Sequence, residues 1–234
     1  MALLAHQPKE LLKLKAIELQ HICKQCGFAT SGTKAQLVQN IQEGLRKDCV
    51  TTSNNIVSID LGYKNLAFLH VANDRIIEWK RQDLLLPSSY NPSQFAQNLS
   101  EFIKPFKEMT DTLFLIERQR HRTGGSSMIL ETILKVLFVE YQLHAALLGR
   151  AVSILPCRVA NYFQLEGGKM KKKSSVLQMT KMLEQGSIPI HIPSQLVSMF
   201  RKEKKSDDLS DCFLQYLAFM DWRKNRQEYA SWLK

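Results

Sequence analysis

Ile56-Val57-Ser58-Ile59-Asp60-Leu61-Gly62-Tyr63-Lys64-Asn65 is the stretch on which the reading of the fold turns. Apolar residues alternate with Ser58 and Asp60 and give way to Gly62, the pattern of a strand that runs into a turn and then into a second strand over residues 66–72. Asp60 falls at the first strand's end. Aspartate is disfavoured in strands, and a buried one must be hydrogen-bonded, protonated or bound to a cation. Many core strands end on an aspartate that only caps or turns, so the meaning of Asp60 depends on whether other carboxylates reach the same place.

Downstream, residues 75–79 read as a third strand. The connections through Gly62 and Asn73-Asp74 are so short that these strands must pair antiparallel. Asn91-Pro92 starts a helix by cap and first-turn rules, with Phe95, Leu99, Phe102 and Phe106 at helical spacing. Residues 112–117 form another apolar run, again ending on an acid, Glu117. A long helix from Ser127 to Leu148, stopped by Gly149, and a strand over residues 151–155 complete the order βββ-α-β-α-β. That is the order of an α/β fold with a mixed sheet flanked by helices. Beyond Pro156 the chain reads as basic and irregular. Lys169, Lys171, Lys172 and Lys173 precede a helical pattern from Ser174 to Gln185, residues 186–193 read as a loop, and Arg201, Lys202, Lys204 and Lys205 lead into a last helix from Asp207 to Trp222.

Upstream, residues 9–46 read as a small helical module. Leu12, Ala16, Leu19 and Cys23 fall on one helical face, with Gly27 as the stop. Thr33 opens a second helix, with Gln36 in a capping-box position and Leu37, Ile41 and Leu45 as its apolar stripe. The Leu-x-x-Leu helix, the Ser31-Gly32-Thr33-Lys34 loop and the Leu37-Val38 helix resemble a SAP-type DNA-binding module. In that role Lys34 would add a cation to backbone donors that hold a phosphate. The expected partition is a module at 1–47, a polar linker at 48–55 and a main domain at 56–234.

The chain has 234 residues, 44% of them hydrophobic, with a formal net charge of +10. That is enough to build a core, and the charge asks for an anionic partner, nucleic acid ahead of a membrane surface. No apolar run approaches the roughly 20 residues needed to cross a bilayer, so a soluble protein with no membrane partner is expected. No motif calls for a small-molecule cofactor. Five scattered cysteines suggest a reducing compartment. Cys23 and Cys26 have CxxC spacing near His21, but without a second ligand pair they read as helix-face cysteines and not as a zinc site. Residues 1–20 have no Arg and carry Glu10 and Glu18, so they are not an obvious transit peptide.

The chemistry is expected where acids converge. Asp60 and Glu117 end strands that a right-handed crossover would make parallel neighbours. The last helix adds Asp207, Asp208 and Asp211, whose spacings of four and three place either pair on one face. Gathering four acids without cations would cost several kcal/mol. All-oxygen donors select hard ions such as Mg²⁺ or Mn²⁺, and two such ions about 3.5–4 Å apart suit phosphodiester hydrolysis. Asp207 and Asp208 also suit a helix's first turn for dipole reasons alone. Arg118, Arg120 and Arg122 after Glu117, and Lys204 and Lys205 before Asp207, supply a basic edge of the kind that grips phosphate. His121 fits a phosphate contact better than a proton donor.

Four motifs in order, Ile59-Asp60-Leu61-Gly62-x-Lys64-Asn65, Glu117-Arg118-Gln119-Arg120-x-Arg122-x-Gly124, Lys171-Lys172-Lys173-Ser174-x-Val176 and Lys204-Lys205-x-Asp207-Asp208-x-x-Asp211, resemble the fungal mitochondrial cruciform-cutting endonucleases. These are Holliday junction resolvases related to bacterial RuvC in the ribonuclease H-like superfamily, and a SAP-like module ahead of the first catalytic strand is also theirs. The resemblance implies a ribonuclease H-like domain with catalytic and metal-binding roles for Asp60, Glu117, Asp207 and Asp211. Asp208 competes with Asp207, because RuvC-type enzymes space the last two acids by three. It further implies two Mg²⁺ per site, with Mn²⁺ able to substitute, and a mitochondrial homodimer that nicks opposing strands of four-way DNA junctions in recombination and segregation. Lys34, Lys64, Arg118, Arg120, Arg122, Lys169, Lys171, Lys172, Lys173, Lys204 and Lys205 are the expected DNA contacts. The helix from Ser127 to Leu148 is either the dimer contact or a buried core helix. Two rival readings are a non-catalytic junction-binding architectural protein on the same scaffold and a nuclease for RNA–DNA hybrids.

Overall fold

The computed structural model describes residues 9–47, 53–85, 91–119, 127–167 and 170–232. In chain order the elements are α1 (Lys9–Lys13), α2 (Ala16–Gln25), α3 (Lys34–Lys47), β1 (Asn55–Asp60), β2 (Asn65–Ala72), β3 (Arg75–Asp83), α4 (Pro92–Glu108), β4 (Leu113–Glu117), α5 (Ser127–Ala146), β5 (Ala151–Ile154), α6 (Pro156–Phe163), α7 (Lys171–Gln185), α8 (Ser194–Lys202) and α9 (Ser206–Trp232). The chain divides into two compact units. One holds residues 1–51, 157–164 and 217–234, the other residues 52–156 and 165–216.

The larger unit is built on a sheet of order β3-β2-β1-β4-β5. β1, β2 and β3 pair antiparallel, as their short turns require. β4 then returns through α4 to lie parallel to β1, and β5 returns through α5 to lie parallel to β4. Asn91 caps α4, its side chain accepting from Gln94 N at 3.1 Å. Phe95, Leu99, Ile103 and Phe106 of that helix are buried with Val57, Ile59, Phe68, Phe114 and Ile116 of the sheet and Val139 and Leu143 of α5. This is the mixed sheet with helices that the order of the sequence signals implied. β3 runs four residues past the expected end at Trp79.

The smaller unit departs most from expectation. The first helix is two helices: α2 restarts at Lys15, whose extended backbone N–H donates to Glu18 Oε2 at 2.5 Å. The break turns Leu12 out, 47% exposed, and leaves Leu11, Leu19, Ile22, Cys23 and Cys26 as the buried set. α3 starts as read, with Thr33 N donating to Gln36 Oε1 at 2.8 Å and Leu37 and Ile41 buried. The unit also takes in residues 157–164 and 217–234, which the sequence reading had assigned with the main domain. The reason is the open end of α2. The last carbonyls of a helix lack partners within it. Here Asn225 Nδ2 donates to Gln25 O at 2.7 Å, Arg226 Nε to Cys26 O at 2.6 Å and Arg158 Nη1 to Gly27 O at 2.9 Å. Trp222 lies so close over Gly27, which has φ +68°, that a Cβ there would fall 2.3 Å from its ring. Among the described residues no helix is long and apolar enough to cross a membrane.

Candidate active site

Period-two alternation decides which face of the sheet carries the acids. Val57 and Ile59 of β1, and Phe114 and Ile116 of β4, enter the core shared with α4 and α5. Ser58 takes the opposite face, its hydroxyl donating to Cys212 O of α9 at 2.8 Å. Asp60 and Glu117, each in step with that second face, therefore end their strands toward α9. The parallel register runs to Ile59 against Ile116, so the two carboxylates come at the next step of neighbouring strands. Leu61 N donates to Glu117 Oε2 at 3.4 Å. Glu117 is the charge that acts most strongly on Asp60.

Gly62 makes the approach possible. A Cβ there would sit 2.1 Å from Asn65 O, so only glycine lets the chain turn this tightly into β2. The turn delivers Asn65, whose Nδ2 donates to Asp208 Oδ2 at 3.1 Å. On α9, Asp208 and Asp211 are among the charges that act on Asp60. Asp207 instead turns to Lys172, whose Nζ donates to its Oδ2 at 2.5 Å. α7 brings a second ammonium: Lys171 Nζ lies 3.4 Å from Asp211 Oδ2.

The electrostatics follow from that crowding. Burial pushes the Asp60 carboxyl well above the usual range, and the charges of Glu117, Asp211 and Asp208 push the same way. Asp211 is raised by burial, with Lys171 opposing and Glu117 reinforcing. Asp208 is raised by burial and by Asp207, against the pull of Lys172, Lys205 and Arg81. Burial works against the charge of Lys171, yet Asp211, Glu117 and Asp60 together hold its ammonium above the ordinary lysine range. Lys172 is raised chiefly by its hydrogen bond to Asp207. The donors are all carboxylate oxygens with ammonium groups at their rim, which is the chemistry of a hard-cation centre. Among the described residues no three Asp, Glu, His or Cys side chains are yet spaced to close on one ion.

A family model described as "Mitochondrial resolvase Ydc2 / RNA splicing MRS1" matches residues 56–188 and 158–229. The chain belongs to this family. A SAP-domain model matches residues 10–46, the α1 to α3 region. This Ydc2/MRS1 family member is 25% identical over 250 residues to mitochondrial cruciform cutting endonuclease 1 of Schizosaccharomyces pombe (strain 972 / ATCC 24843), covering 92% of this chain and 95% of that protein. It is also 25% identical over 253 residues to mitochondrial cruciform cutting endonuclease 1 of Saccharomyces cerevisiae (strain ATCC 204508 / S288c), covering 76% of this chain and 71% of that one. Its fold matches the crystal structure of the yeast mitochondrial Holliday junction resolvase Ydc2 with a TM-score of 0.72 at 26% identity, over 94% of this chain and 98% of that chain.

Within the Ydc2/MRS1 region the structure groups Asp60, Glu117, Asp208 and Asp211 and sets Asp207 aside on Lys172. Lys171 and Lys172 stand at this acid edge. Lys173, Lys204 and Lys205 are exposed near it in sequence, and so is Arg118, whose backbone N donates to Ile154 O at 2.8 Å. Lys64 is exposed, its Nζ 5.7 Å from the centre of the Tyr63 ring. Lys34 is the first residue of α3, in the smaller unit. Arg120, Arg122 and Lys169, with His121, lie outside the described residues. Sequence reasoning missed Asn65, Ser58 and Gln215. Gln215 had a signal, since it follows Asp211 by one helical turn. Ser58 had one too, as the polar break in an otherwise apolar strand.

Proposed function

We propose that this chain is a divalent-metal-dependent endodeoxyribonuclease that resolves four-way DNA junctions by symmetric nicking, as a mitochondrial homodimer acting in DNA recombination and segregation. The observation that carries the reading is the meeting of Asp60 and Glu117 at the ends of parallel neighbours, with Asp208 and Asp211 of α9 acting on the same place. When bound, a pair of hard ions such as Mg²⁺, or Mn²⁺ in its stead, supplies an acidified water and neutralises charge on the phosphodiester oxygens. Asp60 with Asp208 and Asp211 would hold one, and Asp60 with Glu117 the other. Asp207, turned to Lys172, serves instead to keep that lysine at the edge of the site. Lys171, Lys172, Arg118 and the exposed lysines beside them offer the backbone of DNA its counter-charge, and the SAP domain with Lys34 adds a second hold. Support for a dimer comes from α5. Leu130, Leu134, Phe138 and Tyr141 repeat at helical spacing and are 41% to 62% exposed, and two identical sites suit the two-fold symmetry of a junction.

The family's description spans resolvases and RNA splicing proteins, which makes a nucleic-acid binder that does not cut the second reading. One assay separates the two. A labelled four-way junction and a matched linear duplex are incubated with the full chain, with Mg²⁺ or with EDTA, alongside Asp60→Asn. The nuclease reading expects paired nicks in the junction, only with Mg²⁺, and an Asp60→Asn protein that still shifts the junction in a gel. A parent protein that shifts the junction and never nicks it, at any Mg²⁺ concentration, decides for the binder.

A further inference from the structure

Beneath the acid cluster lies a buried polar knot that the chemistry above does not use. Gln215 is 4% exposed, and Ser58 is fully buried. The two N–H groups of the Gln215 amide nitrogen are shared among three acceptors, Ser58 Oγ at 3.0 Å, Ile59 O at 3.2 Å and Leu115 O at 3.1 Å, one of them bifurcated. The Ser58 hydroxyl in turn donates to Cys212 O at 2.8 Å, so the circuit runs from α9 to β1 and back to α9, with a branch to β4. Each point of attachment lies within one helical turn or two strand residues of an acid. Ile59 precedes Asp60, Leu115 is two residues before Glu117, Cys212 follows Asp211, and Gln215 lies one turn beyond it.

Apolar packing alone would let a helix slide or rotate over a sheet at little cost, because dispersion and burial are non-directional. A buried amide has no such freedom: moving α9 by an ångström leaves its N–H groups without acceptors in a place water does not reach. We infer that Gln215, with Ser58, is the positioning element of the acid cluster, fixing the height and rotation of α9 against β1 and β4 and so the separation of Asp208 and Asp211 from Asp60 and Glu117. This rests on the metal-nuclease reading, and it assigns to two residues outside the reacting groups the placing of the acids from which ions would be bound.

The test compares the full-length parent with Gln215→Met, with the double variant Ser58→Ala/Gln215→Met, which removes donor and acceptor together, and with Ser58→Ala alone. Ile103→Ala, a substitution in the core on the other face of the sheet, serves as the control for lost stability. Mn²⁺ affinity is read from the electron paramagnetic resonance of the free ion, junction affinity from gel shifts in EDTA, and cleavage from single turnovers. The expected result is about tenfold weaker Mn²⁺ binding and roughly 10–100-fold slower cleavage in both Gln215 variants, with junction affinity unchanged and Ser58→Ala in between. Ile103→Ala should lower the unfolding midpoint and leave Mn²⁺ affinity alone. The inference is overturned if the Gln215 variants hold Mn²⁺ within about twofold of the parent, or lose no more affinity than Ile103→Ala. If both Gln215 variants fail to fold, Ser58→Ala decides: unchanged Mn²⁺ affinity there overturns it. A parent that binds Mn²⁺ but does not cut defeats the nuclease reading and leaves this inference to the Mn²⁺ data; a parent that does neither defeats both.

Discussion

The two compact units handle buried polarity in opposite ways. In the smaller one, polar side chains answer backbone groups: Arg158, Asn225 and Arg226 donate to the carbonyls at the end of α2, and Trp222 seals the glycine that follows. In the larger one, carboxylates are buried against one another, and burial and mutual repulsion raise Asp60, Asp208 and Asp211 together. The first arrangement lowers the free energy of the fold, whereas the second raises it, a cost that the ammonium groups of Lys171 and Lys172 offset in part and that a bound cation would offset further. α9 serves both, with its residues up to Tyr216 in the larger unit and those from Leu217 on in the smaller.

Substitutions should therefore separate by unit, function failing in one and stability in the other. The largest effect is expected at Asp211. Asp211→Asn and Asp208→Asn should each slow junction cleavage roughly a thousandfold, equivalent to about 4 kcal/mol of transition-state stabilisation. Asp207→Asn, which only releases Lys172, should cost less than about tenfold. Equal losses at Asp207 and Asp208 in single-turnover assays would break the grouping of the acids drawn above. Next comes Gly27→Val, which adds a β-branched side chain at φ +68° against the Trp222 ring. It should cost about 3 kcal/mol in urea unfolding, while the folded fraction still cuts. Asn65→Ala removes the donor to Asp208. A loss of about 10–50-fold in cleavage, with the unfolding midpoint nearly unmoved, is the outcome expected of a residue that orients a ligand.

The larger unit was far more legible in the sequence than the smaller. Strands read well because Ile56 to Asp60 and Leu113 to Glu117 are short apolar runs closed by acids, and because turns as short as Gly62 and Asn73-Asp74 leave antiparallel pairing as the only option. Asp207 and Asp208 could not be told apart by spacing, since both fall on Asp211's face. In the structure they differ in the groups they meet, which are distant along the chain: Lys172 for Asp207 and Asn65 for Asp208. α6 and α8 escaped notice because each is short, eight and nine residues, and few apolar positions mark so brief a helix; each buries a single residue, Val159 in one and Phe200 in the other. The union of residues 157–164 and 217–234 with the N-terminal module was invisible for a related reason. It is held by side chains donating to the carbonyls of Gln25, Cys26 and Gly27, and a carbonyl leaves no mark in a sequence.

The smallest predicted effect tests whether the larger unit's exposure to pH comes from its acids alone. His70 of β2 is buried, its Nε2 2.7 Å from Asn55 Oδ1 and its strand position opposite Glu78. Burial lowers its pKa, and the Glu78 charge opposes the shift without cancelling it. The fold therefore prefers the neutral ring. A group depressed in the folded state gives its full contribution above the ordinary histidine value and loses it as pH falls through that value toward the folded one. Stability due to His70 should thus fall on acidification below about pH 6.5, with a slope of no more than about 1.4 kcal/mol per pH unit for one proton. The raised acids act in reverse, because in the metal-free chain the folded state takes up protons ahead of the unfolded one and gains stability on acidification. The two are separated by subtraction. Urea midpoints of the parent and of His70→Gln, measured in EDTA from pH 7.5 to pH 5, should converge as the pH falls, with the parent the more stable at the upper end. A constant difference across that range would show that His70 does not titrate with folding and would leave the unit's response to pH to other groups, the raised carboxylates among them.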